Sequence, residues 1–296
     1  MDCRVAVCQM RPRLGALDPN FDAHHEWLDR AAAARADLAV FPELSLAGYF
    51  LRDHTPDAAL RLDDPRVQQL VARSRERSFL FGLVEESDDH RFYNSAVFAE
   101  DGRILHVHRK VHLCDYGIFE EKRYFAAGNR FEPVVSKHGR FGVLVCEDAW
   151  HLPSAWLHFL AGADALLIPS ASPARGFDAP DDAELSSQAA WRTLTTALGR
   201  FLQTWVIYAN RTGFEDGALF WGGSMIVSPF GHAAAEAPGA EEALLDGRLD
   251  DDPLRRARIA TPLRRDARPG LVRLLLARLM EDPDALRAGA GGDAAR

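Results

Sequence analysis

A thiol at Cys146, a carboxylate at Glu43 and an ammonium at Lys110 could together carry out nucleophilic attack on an electrophilic carbon. Cys146 follows Gly-Val-Leu-Val and precedes Glu-Asp-Ala-Trp. A cysteine that ends a strand and opens a helix sits where backbone N–H groups point outward. That location lowers a thiol pKa and can hold an oxyanion. The competing reading is a packed structural cysteine, the commoner role in an apolar run. Glu43 lies in FPELSLAGY, with Pro42 fixing the backbone before it and apolar residues around it. A carboxylate set among apolar side chains suits general-base work near neutrality; a plain loop glutamate is the alternative. Lys110, in HRKVHL, closes the run Ile104–Arg109. Of 35 cationic residues only Lys110, Lys122 and Lys137 are lysines. Codon drift accounts for that bias. A lysine retained beside Arg109 still hints at a compact ammonium that arginine could not replace, against the plain reading of a surface lysine.

A metal site is a rival chemistry. His106, His108, His112 and Cys114 crowd one stretch, and His-x-His on a strand puts both imidazoles on one face, with zinc accepting nitrogen and sulfur ligands. No HExxH accompanies them. GxSxG, a Walker-type loop and GxGxxG are likewise absent. No histidine is singled out as a partner for Cys146.

The elements that must position these residues alternate in type. Strand-like runs cover Val5–Met10, Asp37–Phe41, Phe79–Val84, Phe92–Ala99, Ile104–His108, Phe141–Cys146, Ala165–Pro169 and Trp205–Asn210. Helical patterns cover Phe21–Arg35, Pro65–Glu76, Ser154–Ala161 and Ala183–Gln203. Asp101-Gly102 marks a hairpin, and Ser-Pro-Phe-Gly turns between Met225–Val227 and Ala233–Glu236. Strands interleaved with helices indicate α/β architecture. We read residues 1–265 as one domain. Residues 266–296 read as an extension with a short helix at Leu271–Met280 and a loosely ordered tail.

The chain has 296 residues, long enough for a sizeable core, and a net charge of −8 argues against a nucleic-acid partner. No run reaches the length of a membrane span, and MDCRVAVCQM enters a strand pattern rather than a signal peptide. The four cysteines form no CxxC pair, so free thiols and a cytoplasmic location are expected.

The segments FPELSLAGY, HRKVHL and GVLVCEDAW occur in this order and spacing. Together they resemble the nitrilase, or carbon–nitrogen hydrolase, superfamily, from VAVCQM to about Leu249. The resemblance implies a four-layer α-β-β-α sandwich, subunits paired as a homodimer or larger even-numbered oligomer, and a Glu43–Lys110–Cys146 triad needing no cofactor. VHLCDYGIFEEKRYFAAGN and CEDAW look most like the glutaminase domain of glutamine-dependent NAD synthetases, without the synthetase domain. That alignment implies Glu121 as a second site glutamate, one residue from Glu120. It also implies Tyr116, Glu147 and Ser172 as contacts of a glutamine-like amide. Cys114 and Asp115 depart from that pattern. The expected chemistry is amide hydrolysis through a thioester. Nitrile or N-carbamoyl hydrolysis, or a non-catalytic binding protein on the same fold, are the alternatives.

Overall fold

Period-two alternation splits each strand between two cores. On β1 (Asp2–Gln9), Cys3, Val5 and Val7 enter one apolar cluster, whereas Ala6 and Cys8 enter a second. The same division holds on β2 (Leu38–Val40), where Leu38 and Val40 part from Ala39. The short β3 (Ala59–Leu60) pairs at the edge of β4 (Ser78–Glu86), where Leu80 parts from Phe79 and Phe81. On β5 (Phe92–Glu100), Ala96 and Phe98 part from Val97 and Ala99. It runs through Asp101 and Gly102, both at positive φ as a type I′ turn requires, into β6 (Arg103–Arg109).

The second cluster is closed by α1 (Leu17–Ala33) and α2 (Pro65–Ala72), which contribute Phe21, Trp27, Leu28, Val67 and Leu70. The first is closed by another sheet, with β7 (Val134–Ser136), β8 (Gly139–Val143), β9 (Ala165–Ser170) and β10 (Trp205–Asn210). A separate hairpin, β11 (Thr212–Glu215) with β12 (Ala218–Trp221), precedes β13 (Met225–Val227) and β14 (Ala233–Glu236). β15 (Ala243–Asp250) returns antiparallel to β1. The sheets run β15-β1-β2-β4-β5-β6 and β14-β13-β10-β9-β8-β7. Between them lies the short α3 (Glu121–Tyr124). On the far face of the second sheet sit α4 (Leu152–Leu160) and α5 (Ser186–Leu202), whose Ala155, Trp191 and Leu198 join the first cluster, which takes in side chains on both faces of that sheet. The result is a four-layer α-β-β-α sandwich. This computed structural model describes residues 1–175 and 186–282.

β1, β2 and β4 are mutually parallel, as are β8, β9 and β10. The loops leaving the carboxyl ends of β2, β6, β8 and β9 therefore gather at one edge of the sandwich, where open α/β sheets place ligands. α6 (Asp251–Ala260), α7 (Leu263–Asp266) and α8 (Pro269–Glu281) follow β15. α8 spans the expected Leu271–Met280 helix and buries none of its residues. The expected tail beyond Asp282 and the start of the Ala183–Gln203 helix lie outside the described residues.

One glycine controls the approach of the Glu43 loop to β4. A Cβ on Gly82 would sit against Leu44 N, 2.9 Å from Pro42 O and 3.0 Å from Glu43 C, all backbone atoms. Gly82 also exchanges hydrogen bonds with this loop, donating to Ser45 Oγ at 3.0 Å and accepting from Leu46 N at 3.0 Å. We expect Gly82→Ala to cost about 1–3 kcal/mol of stability and to lower turnover by displacing Glu43. Thermal melts and steady-state kinetics of the variant check both, and unchanged kinetics would detach the loop position from activity.

Candidate active site

Lys110 follows β6 directly, and its backbone N–H bonds Asn94 O on β5 at 2.8 Å. Its side chain turns inward and is wholly buried. The ammonium donates to Glu43 Oε1 and to Glu121 Oε1, each at 2.7 Å. Glu43 sits three residues past β2, before Leu44 in the left-handed region at φ 48°. Its Oε1 also accepts from Asn94 Nδ2 at 2.8 Å, and its Oε2 from Ala171 N at 2.7 Å. The apolar setting expected for Glu43 is thus corrected: N–H donors surround its carboxylate. Glu121 opens α3 and accepts from the Tyr49 hydroxyl and, through Oε2, from Cys114 N at 2.9 Å. Glu120 stays exposed at the cap of that helix.

Cys146 does not end a strand. β8 stops at Val143, and Cys146 opens a five-residue 3-10 helix, Cys146–Trp150, at φ 46°. Only 8% of the residue is exposed. The Glu147 N–H follows the thiol directly, in the first turn of that helix.

Charge and burial define the resting ionisation. Burial opposes the Lys110 charge, but Glu121 and Glu43 outweigh it and hold the ammonium well above the ordinary lysine range. Burial, followed by the charge of Glu43, pushes the Cys146 thiol well up, with Lys110 opposing. The lowered thiol expected from a helix start is therefore reversed, because desolvation and a nearby carboxylate dominate. Glu121 is likewise pushed up by burial, against Lys110 and with Glu43.

Of the remaining sequence candidates, Tyr116 and Glu147 pair with each other, and Ser172 has partners of its own. Glu147 Oε2 accepts from the Tyr116 hydroxyl at 2.8 Å and faces the Cys114 thiol at 3.4 Å. Its carboxylate turns toward the 114–116 loop rather than back onto the N–H groups of its own helix. Tyr116 is 53% exposed. Ser172, just past β9, is buried, and its Oγ accepts from Trp191 Nε1 at 2.8 Å and Trp221 Nε1 at 3.4 Å. Sequence reasoning missed Tyr49, Asn94, Asn210 and Asp148. Asn210 Oδ1 receives Ser172 N–H at 2.9 Å. Asn94 and Asn210 lie far along the chain from the residues they bond, and Tyr49 and Asp148, though close in sequence to Glu43 and Cys146, meet partners 72 and 40 residues away.

The histidines implied by the metal reading are dispersed. His108 bonds Asp148 at 2.8 Å, and His112 stacks on His151 at 3.6 Å. No group of three or more His, Cys, Asp or Glu side chains placed to hold a metal occurs among the described residues.

A four-layer sandwich with a buried Lys flanked by two glutamates beside a cysteine that opens a short 3-10 helix defines a carbon–nitrogen hydrolase. The chain matches the carbon-nitrogen hydrolase family model over residues 4–259 and belongs to that family; it is an enzyme of C–N hydrolysis. It is 30% identical over 247 residues to a glutamine-dependent NAD(+) synthetase of Acinetobacter baylyi, covering 83% of this chain but 44% of that protein. The chain thus spans under half the length of the synthetases it matches. It is 28% identical over 275 residues to the N-carbamoylputrescine amidase of Arabidopsis thaliana, covering 88% of this chain and 91% of that one. A carbon-nitrogen hydrolase from Helicobacter pylori G27 superposes with a TM-score of 0.80 at 26% identity, covering 93% and 98% of the two chains.

The wholly buried Lys110 ammonium makes close bonds of 2.7 Å to both carboxylates, a geometry suited to a compact charge. We expect Lys110→Arg to lower kcat about 10²–10³-fold, nearly as far as Lys110→Ala. An arginine variant retaining most of its kcat would refute this.

Proposed function

We propose that the chain is a cysteine-dependent amidase acting on a small polar amide through a thioester acyl-enzyme. The observation that carries this reading is the fully buried Lys110 ammonium held between Glu43 and Glu121 beside a nearly buried thiol. The thiol rests protonated, so attack requires a base, and Glu43 is the carboxylate whose charge acts most on it. Glu43 takes the proton, and the Cys146 sulfur bonds to the amide carbon. The oxyanion is held by Lys110 and the Glu147 N–H. Glu43 returns the proton to the leaving nitrogen as the C–N bond breaks. It then deprotonates water, which attacks the thioester carbon, and it returns that proton to the Cys146 sulfur as the C–S bond breaks. Glu121 and Tyr49 hold Lys110 in place.

Glu147 is the proposed receptor for a substrate cation such as the amino group of a glutamine-like amide, with Tyr116 and Ser172 nearby as neutral contacts. A second reading, N-carbamoyl hydrolysis by the same groups, is favoured by the near full-length match to the plant amidase. The homo-oligomer reading is supported by exposed apolar side chains on the outer helical layer, Leu152, Leu157 and Phe201, and by Leu274, Leu276 and Met280 of α8. No described helix is long and apolar enough to cross a membrane.

The deciding experiment incubates the protein with candidate amides and reads intact mass. An acyl adduct that maps to Cys146 and is lost in Cys146→Ala supports the amidase; turnover by a folded Cys146→Ala protein overturns it. We also expect Glu147→Gln to raise KM about 10-fold or more for an amino-bearing amide and far less for a neutral one. An unchanged ratio of kcat/KM between the two amides would remove Glu147 from recognition. Light scattering should report a dimer or larger even assembly at micromolar concentration, and a monomer would contradict the pairing.

A further inference from the structure

The ammonium and the thiol arrive from different sheets. Lys110 leaves β6 in the first sheet, and Cys146 leaves β8 in the second. The sheets meet through apolar packing, which is strong but not directional. Something directional must fix the one loop against the other.

Asp148 does this. It lies two residues past the nucleophile and is fully buried. Its Oδ1 accepts from Val111 N at 3.1 Å and from His112 N at 2.8 Å, the two residues after Lys110. Its Oδ2 accepts from Val145 N at 3.1 Å, the residue before Cys146, and meets His108 Nε2, at the end of β6, at 2.8 Å. One carboxylate thus ties both flanks of Lys110 to both flanks of Cys146. Burial opposes its charge, but His108 and the backbone donors outweigh burial and keep it ionised. His108 is itself buried, packed near Phe131 at 5.7 Å between ring centroids.

We infer that Asp148, with His108, is the positioning pair that sets the Lys110 ammonium against the Cys146 thiol. Asp148 touches no reacting atom; it acts through Lys110. The inference rests on the reading of Cys146 as nucleophile and Lys110 as oxyanion partner. In Asp148→Asn one oxygen becomes an NH2 group. That group cannot accept from both His108 and Val145, so the tie opens on one side while the volume is kept.

The test is single-turnover acylation by a small amide, read by intact mass, in the wild type, Asp148→Asn, Lys110→Ala and the double variant. The wild type should acylate on Cys146; absence of the adduct would overturn the nucleophile reading and this inference with it. Asp148→Asn should slow acylation about 10–100-fold, with the half-saturating amide concentration within about threefold of wild type. In the Lys110→Ala background the same change should add less than about threefold, because two residues acting through one contact are non-additive. Wild-type acylation by Asp148→Asn, or an equal slowing in both backgrounds, would overturn the positioning role while leaving the nucleophile in place. Should Asp148→Asn not fold, His108→Phe keeps a ring and removes the donor. It should slow acylation, and His108→Gln, which restores an N–H at similar reach, should recover it. Wild-type acylation by His108→Phe, or no recovery in His108→Gln, would overturn the pair.

Discussion

Everything at this site is organised around one buried positive charge. The Lys110 ammonium has no exposed surface, and a charge so placed is tolerated only when paired and hydrogen-bonded. Glu43 and Glu121 supply the pairing at 2.7 Å each, and their remaining oxygen sites are filled by Asn94, Ala171 N–H, Tyr49 and Cys114 N–H. Two carboxylates against one ammonium leave an excess of negative charge in a dry place. The upward push on Glu121, on the Tyr49 hydroxyl and on the Cys146 thiol follows from burial and that excess together.

The backbone has to bend sharply to deliver these groups. Leu44, next to Glu43, and Cys146 itself both take left-handed conformations without being glycine. Each costs about 1–2 kcal/mol, and such residues persist only where their surroundings over-determine them. Here the surroundings do so by hydrogen bonding. The Glu43 loop is held through Ser45 and Leu46 to Gly82 on β4. The Cys146 turn is held through Val145 to Asp148. A further tie runs from the buried Arg211 to Glu215, whose Oε1 receives Tyr49 N–H at 2.7 Å and Phe50 N–H at 2.8 Å and so fixes the chain that presents the Tyr49 hydroxyl to Glu121.

How much of this was legible in the sequence depends on the range of the interaction. A short apolar run bounded by turn residues is a local signal, so Trp205–Asn210, Met225–Val227 and Ala233–Glu236 were readable to the residue. β15 was not, because ALLDGRLD carries charges and a glycine on an edge strand whose outer face is solvated. β11 and β12 pair only with each other, and their aromatic and glycine residues give no clean period. At the site, Glu43, Lys110 and Cys146 could be picked out because each closes an apolar run and matches an ordered set of motifs. Their surroundings could not. Asn94 is 51 residues from Glu43, and Ala171 is 128 away. A sequence shows the apolar neighbours of Glu43 along the chain but not the donors that folding brings to it. The same blindness gave the wrong sign for the thiol: the helix start is local and visible, whereas burial and the charge of Glu43 are not.

That reversed sign has a chemical consequence. A cysteine lowered by a helix terminus would stand as a thiolate and would react with any electrophile or oxidant small enough to enter, since the thiolate is the reactive form. Cys146 instead rests as a thiol, because burial and, after it, the negative charge of Glu43 oppose its ionisation. Moving the proton from Cys146 to Glu43 leaves the total charge unchanged. It places the new negative charge on sulfur while cancelling the one on Glu43, which frees Lys110 from half of its pairing. The ammonium can then turn its donors toward an oxyanion as that charge develops. In the proposed mechanism, proton transfer, unpairing of the lysine and stabilisation of the transition state are therefore one coupled event. On that mechanism it is favourable only when a carbonyl is present to receive the sulfur, which would make the nucleophile conditional on substrate rather than permanently armed.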